Sequence, residues 1–327
     1  MSTTRSMLFH LGGVPLLNGI PFGPDSKVFF VAPGTGSDGN AGDTPATALA
    51  SLSQAQSLAR ANKNDVVFLL AQSNSASATT SYQSASLAWA KDMVHLIGIN
   101  AGGRVAQRSR IAANAVSISP LVNVTANGCL FRDLHVFHGF TADEAGYIAW
   151  QDAGNRNVYE RCHIAGGGVS GTADDTSMRS LKLAGGGERV FRDCVIGLDT
   201  VDRSTTANAE IEFAGSVRDT FDDCTFQTYG SGAHAMAIVG ATGLDRYALF
   251  RRCQFINPIQ SGTTALTECF SCTAGTSPNG AILLQDPFAY GCGPWEADVE
   301  TGRVIVLGHP TPASTDGSGL AGAPESP

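Results

Sequence analysis

Apolar residues in this chain come in short, β-branched and aromatic runs closed by turns, with little of the three-to-four-residue spacing that marks helices. Residues 27–32 (Lys-Val-Phe-Phe-Val-Ala) predict a strand. Residues 65–71 and 94–99 are continuous apolar runs, as expected of a parallel sheet buried from both sides. Between the first two lie a loop rich in glycine and aspartate, residues 33–43, and a predicted helix over about 46–61. Thr44 can cap that helix and Pro45 suits its first turn, while Leu49, Leu52, Ala55 and Ala59 give it one apolar side. Residues 1–26 hold no sustained period and read as an extended arm. Residues 280–285 and 302–308 read as late strands, and 309–327 form a tail rich in Pro, Ser, Gly and Ala. The chain thus divides into an arm (1–26), a body (27–308) and a tail (309–327).

The middle of the body repeats. Five segments align on an aromatic residue: Phe131-Arg132-Asp133-Leu134, Tyr159-Glu160-Arg161-Cys162, Phe191-Arg192-Asp193-Cys194, Phe221-Asp222-Asp223-Cys224 and Phe250-Arg251-Arg252-Cys253. Their aromatic positions are 28, 32, 30 and 29 residues apart. A period in this range marks a repeat architecture, and repeats made of strands and turns exclude helical solenoids. The two polar residues after each aromatic break the alternation and read as a corner. The aromatic then ends one strand facing inward, and the cysteine opens the next, also facing inward. Coils stacked about 4.8 Å apart would pile Phe131, Tyr159, Phe191, Phe221 and Phe250 into one column. Cys162, Cys194, Cys224 and Cys253 would form a second, with Leu134 as its first rung. The first corner position alternates in sign at every step (Arg132, Glu160, Arg192, Asp222, Arg251). The second (Asp133, Arg161, Asp193, Asp223, Arg252) has one like-charge step, Asp193 to Asp223. The expected fold is all-β: a right-handed parallel β-helix, or β-solenoid, with an N-terminal capping helix and extended N- and C-terminal arms.

Charge narrows the partners. A net charge of −8 with no cluster of Lys or Arg argues against nucleic acid. No apolar run reaches the length of a membrane span, and the N-terminal residues make a poor signal-peptide core. The expectation is a protein assembled in a cytoplasm, its eight cysteines free thiols.

The strand Val-Phe-Phe-Val, the stretch Gly-Thr-Gly-Ser-Asp-Gly-Asn-Ala-Gly-Asp-Thr-Pro, the Ala-rich segment and Asn-Asp-Val-Val-Phe-Leu-Leu together resemble the N-terminal cap of pectin-lyase-like β-helices. The version opening with this loop is similar to phage and prophage virion proteins. The resemblance covers roughly residues 27–256. It implies a structural virion protein on the capsid surface, a decoration, cement or head-fibre component. Its implied partners are the major capsid protein and copies of itself in a homotrimer. No catalytic motif comes with the resemblance, and no cofactor is expected.

Two other readings stay open. A tailspike-type glycan depolymerase would need two carboxylates flanking a glycosidic bond, and Asp193, Asp222 and Asp223 are the candidates; as rungs of a charged corner beside arginines they have a plainer explanation. A non-catalytic glycan-binding module would need exposed aromatics, for which Trp89, Trp150, Tyr229 and Trp295 look available. Asp174-Asp175 is the only tight acidic pair outside the corners. Asp38, Asn40 and Asp43 invite a calcium reading but suit tight turns. Cys269, Cys272 and Cys292 could be three zinc thiolates but lack a fourth ligand at suitable spacing. His135 and His163 fall in one outward column and could share a metal, though satisfied histidines explain them as well. No metal site is expected.

Overall fold

The computed structural model describes residues 9–11, 14–16, 19–71, 73, 79–101, 103–115, 117–139, 148–173, 175–203, 208–230, 234–239, 243–258, 265–272, 280–296 and 304–307. They form a right-handed parallel β-helix. Three sheets run along it. The first has ten strands, from Val28–Val31 to Val304–Leu307; the second has eight, from Thr80–Gln83 to Phe288–Tyr290; the third has seven, from Leu87–Trp89 to Phe270–Cys272. Strands pair in parallel with the coil before and the coil after.

The predicted columns are present. Phe131, Tyr159, Phe191, Phe221 and Phe250 are direct partners in the first sheet. Their rings stack at centroid separations of 5.0, 4.4, 4.7 and 4.7 Å, with planes within 16° of parallel. All five are fully buried. Aliphatic residues continue the file at both ends, Leu96 beneath Phe131 and Leu284 beyond Phe250. The thiols of Cys162, Cys194, Cys224 and Cys253 form the neighbouring file, also buried. Around them the backbone climbs one coil per bond, from Val195 N–H to Cys162 O, Thr225 N–H to Cys194 O and Gln254 N–H to Cys224 O.

Each corner turns at its second residue, which adopts a left-handed conformation: φ is 55° at Asp133, 49° at Arg161, 54° at Asp193 and Asp223, and 49° at Arg252. The strain of such a backbone is modest for Asp and larger for Arg. Pairing on both sides holds it in place.

The predicted 46–61 helix is shorter and split. Pro45–Thr47 is a single 3₁₀ turn capped by Thr44, and the α-helix is Leu52–Leu58, capped by Ser51. Leu49 explains the break: it bridges Val31 in parallel, and its N–H bonds to Phe30 O, so the sheet takes it out of helical register. Leu49, Leu52, Ala55 and Ala59 are buried on one side, as expected. Within the N-terminal arm, Phe9–Leu11 and Val14–Leu16 form an antiparallel hairpin, so the arm is not purely extended. Ile20 and Phe22 then pack on the outer surface of the first sheet against Val66, Ile97, Leu130, Phe68 and Val158. Residues 308–327 lie outside the described residues. No described helix is long and apolar enough to cross a membrane.

Candidate functional site

The carboxylates singled out for glycan cleavage are committed to arginines. Asp222 accepts from Arg251 Nη2 at 2.7 Å. Asp223 receives both Nε and Nη2 of Arg252, at 2.7 and 2.8 Å. In the coils before them, Asp133 is bound twice by Arg161, and Glu160 is shared by Arg132 and Arg192. The like-charge step has its own solution. Arg104 places Nε 2.8 Å from Asp193 Oδ1 and donates from Nη2 to the backbone oxygen of Asp223 at 3.0 Å. The Arg252 guanidinium also holds the Asp223 carboxyl below the usual carboxylate range. A general acid needs the opposite shift.

The third sheet presents a half-buried polar column of Asn123, Gln151, Lys182 and Glu212. Its one carboxylate, Glu212, is held by Arg179 at 3.1 Å and Lys182 at 3.0 Å. Deeper carboxylates are interior props. Asp152 accepts from Tyr159 Oη at 2.5 Å and faces Arg189 at 3.3 Å, and Arg189 also binds Asp219 at 3.0 Å, all three charges fully buried. Glu210 pairs with Arg203 at 2.6 Å, likewise buried. Burial raises Asp152 and Glu210, and pushes Asp219 up to about 6.

The remaining candidates have local roles. Asp38 accepts from the N–H groups of Ala50 and Ser51 and from Ser51 Oγ; Asp43 accepts from Thr47 Oγ1; Asn40 donates to Ala48 O. These bonds stitch the glycine loop to the helix start, the turn reading. Cys269 lies against Cys292, its thiol raised by burial, and Cys272 is buried. Among the described residues no three His, Cys, Asp or Glu groups cluster as metal ligands. Asp175 caps a turn through Ser177 N–H; Asp174 lies outside the described residues. Three tryptophans expected to be available are buried: Trp89 donates to Val94 O, Trp150 donates to Tyr159 Oη, and Trp295 packs on Phe255. Tyr229 is half-buried.

His135 and His163 do share an outward column, on the second sheet, with rings stacked 4.6 Å apart. Neither is solvated. The connection between Ile99 and Arg110 is much longer than the two-residue corners after it, and its described residues 103–109 fold over the two rings. Ala106 N–H donates to His163 Nδ1, and Gln107 bonds to Arg161 O. His163 Nε2 faces Gly197 O at 3.1 Å, and His135 Nδ1 accepts from Arg110 Nε at 3.0 Å. Burial drives the His135 imidazole down to about 2, so it is neutral. Beside the pair opens a cavity of about 260 Å³, lined by Val105, Ala106, Arg110, Phe137, Leu198, Asp199, Thr200 and Gln227. A second cavity of about 310 Å³ adjoins it, sharing Arg110 and Phe137 and edged by Tyr82 and Asn114. Exposed aromatics belong mainly to this sheet: Tyr82, Phe288 and Tyr290 are 48%, 55% and 41% exposed. Sequence reasoning placed His135 and His163 in one outward column but missed the cavities beside them; the signal available was the long corner.

Comparison with solved structures places the fold. The chain is similar to pectate lyase Pel9A (12% identity, TM-score 0.56, covering 93% of this chain and 82% of that one). It is also similar to the pectin methylesterase of Aspergillus niger in deglycosylated form (13%, 0.54, 87% and 85%) and to the pectin methylesterase PemA of Erwinia chrysanthemi (12%, 0.53, 92% and 98%). The fold is a pectin-lyase-like parallel β-helix. At this identity the likeness concerns backbone architecture alone. No family model matches the sequence, and no curated protein does.

Proposed function

We propose that this pectin-lyase-like β-helix is a non-catalytic structural protein of a virion, a rod that decorates or cements the capsid surface. Its partners on this reading are the major capsid protein and further copies of the chain, as a homotrimer assembled in the host cytoplasm. The setting rests on the N-terminal sequence resemblance. The observation that carries the non-catalytic part is the engagement of Asp193, Asp222 and Asp223 by Arg104, Arg251 and Arg252. A hydrolase needs one carboxyl free to donate a proton and another free to attack or activate water; here all three serve the stacking of coils. Purified full-length protein mixed with particles lacking it should co-sediment and raise their thermal stability. Failure to bind would overturn the structural reading.

The depolymerase reading predicts reducing ends released from host polysaccharide and lost in Asp193→Asn and Asp223→Asn. The ion pairs predict no release by either variant or by the parent. A non-catalytic saccharide-binding role has one specific observation in its favour, the cavities on the second sheet.

A further inference from the structure

Arginine pairing is nearly complete in this molecule, and the two departures from it lie together. Among the described residues, every arginine except Arg108 and Arg110 has a carboxylate oxygen within 4.0 Å. Arg110 is half-buried at the ridge between the two cavities, its Nε spent on His135. Arg108 is exposed and close enough to Arg110 for the two positive charges to repel. A guanidinium partly withdrawn from water without a counter-charge is unfavourable, and this protein elsewhere supplies a carboxylate to avoid it. Asp199 lines the same cavity but stands outside ion-pair distance of Arg110. The second ring nitrogen of His135 is buried with no partner in the protein.

The surroundings fit a ring-bearing ligand. Phe137 is shared by both cavities, Tyr82 stands 48% exposed at the edge of one and Val105 56% exposed at the wall of the other. Thr200, Gln227 and Asn114 offer hydroxyl and amide groups around the rims. Pockets that pair apolar faces with a few convergent polar groups are the usual form of a small-molecule site.

We propose that the paired cavities are one binding site for an anionic saccharide, its carboxylate or sulfate group on Arg110 and its rings against Phe137 and Tyr82. The two cavities draw on successive coils, Thr80–Gln83 through His135–Phe137 for one and Arg110 through Gln227 for the other, so the saccharide runs along the stacking direction. Arg is suited to this contact because its planar donors meet an oxyanion two at a time. The site is separate from the corner carboxylates and from attachment to a particle.

The test is calorimetric titration of the full chain with a sialylated trisaccharide, a sulfated one and their neutral parent. The same titrations follow with Arg110→Met, which removes the charge, and Leu198→Trp, which fills the cavity while keeping Arg110. The expected result is binding of at least one anionic ligand, at least tenfold tighter than the neutral parent and weakened by salt. Arg110→Met should reduce it to the neutral level, and Leu198→Trp should abolish it. Equal affinity for anionic and neutral ligands, no binding of either anionic ligand, or binding unchanged in both variants would overturn the proposal. Particle co-sedimentation by Arg110→Met, expected at the parent level, reports separately on the structural role.

Discussion

Arg104 reaches Asp193 from a corner three coils away and closes the one step at which the stacked corners set like charges side by side. Its Nε lies 2.8 Å from Asp193 Oδ1, and the same guanidinium holds the Asp223 backbone, 119 residues on in the chain. Arg104→Ala should therefore take from Asp193 the counter-charge that eases its approach to Asp223. Because both side chains are more than 40% exposed, the loss is small, about 0.5–1 kcal/mol. Adding Asp193→Asn should return part of it. A double-mutant cycle by urea unfolding checks this, and strict additivity of the two changes would count against the bridge.

The aromatic file carries far more. Phe191 is fully buried between Tyr159 and Phe221, so Phe191→Ala should cost about 3–5 kcal/mol through lost burial and the cavity left behind. Phe191→Leu, which keeps most of the volume, should cost clearly less. Denaturant midpoints of the two variants decide it.

Arg189 holds two buried carboxylates apart in charge and together in space. Arg189→Met leaves Asp152 and Asp219 unneutralised and should destabilise by about 3–5 kcal/mol. Combining it with Asp152→Asn and Asp219→Asn removes the stranded charges, and should regain part of the loss. If the triple variant is less stable than the single one, the electrostatic explanation fails.

Acid should weaken the fold through its buried histidines. His95 is pushed down to about 4 by burial, while accepting from Leu130 N–H and facing Asn64 Oδ1. Between an unfolded value of about 6.5 and about 4, the unfolded chain binds a proton that the folded chain refuses. Stability from this group is therefore whole above pH 6.5 and lost as the pH falls toward 4, by up to about 3 kcal/mol. Asp219, raised to about 6, works in the opposite sense over most of that window, from about pH 6 downward. The measurement is consequently a difference: the fall in Tm from pH 7 to pH 4.5 should be shallower in His95→Gln than in the parent.

All eight cysteines are buried as free thiols, and burial pushes Cys129 up to about 12 and Cys162 and Cys224 well above the ordinary thiol range. A thiol sealed in the core is out of reach of a reagent, so iodoacetamide at pH 8 should leave the native protein unlabelled. The same reagent in guanidinium should label every cysteine, a difference that mass spectrometry reads directly.

The columns were legible because Phe131, Tyr159, Phe191, Phe221 and Phe250 recur at a near-constant spacing, and direct stacking follows from the period itself. Trp89 and Trp150 were placed on the wrong side for a related reason. Their strands, Leu87–Trp89 and Ile148–Asp152, are too short for the alternation of inward and outward positions to be read from sequence. The helix was over-extended because Leu49 fits an apolar helical face as well as it fits the bridge to Val31. Arg104 and the cavity beside His135 were invisible because they depend on where a long corner lies down, a matter of coils brought together from distant stretches of sequence.

That long corner also shows what a stacked design permits. The side-chain files along the interior fix how each coil sits on the next, whereas a detour of chain at a corner swings outside them. Chemistry can therefore be added, reshaped or deleted at one edge while the register of the rest is undisturbed. Exchanging residues 100–109 for the short turn used lower down should strip the binding face and leave the rod standing.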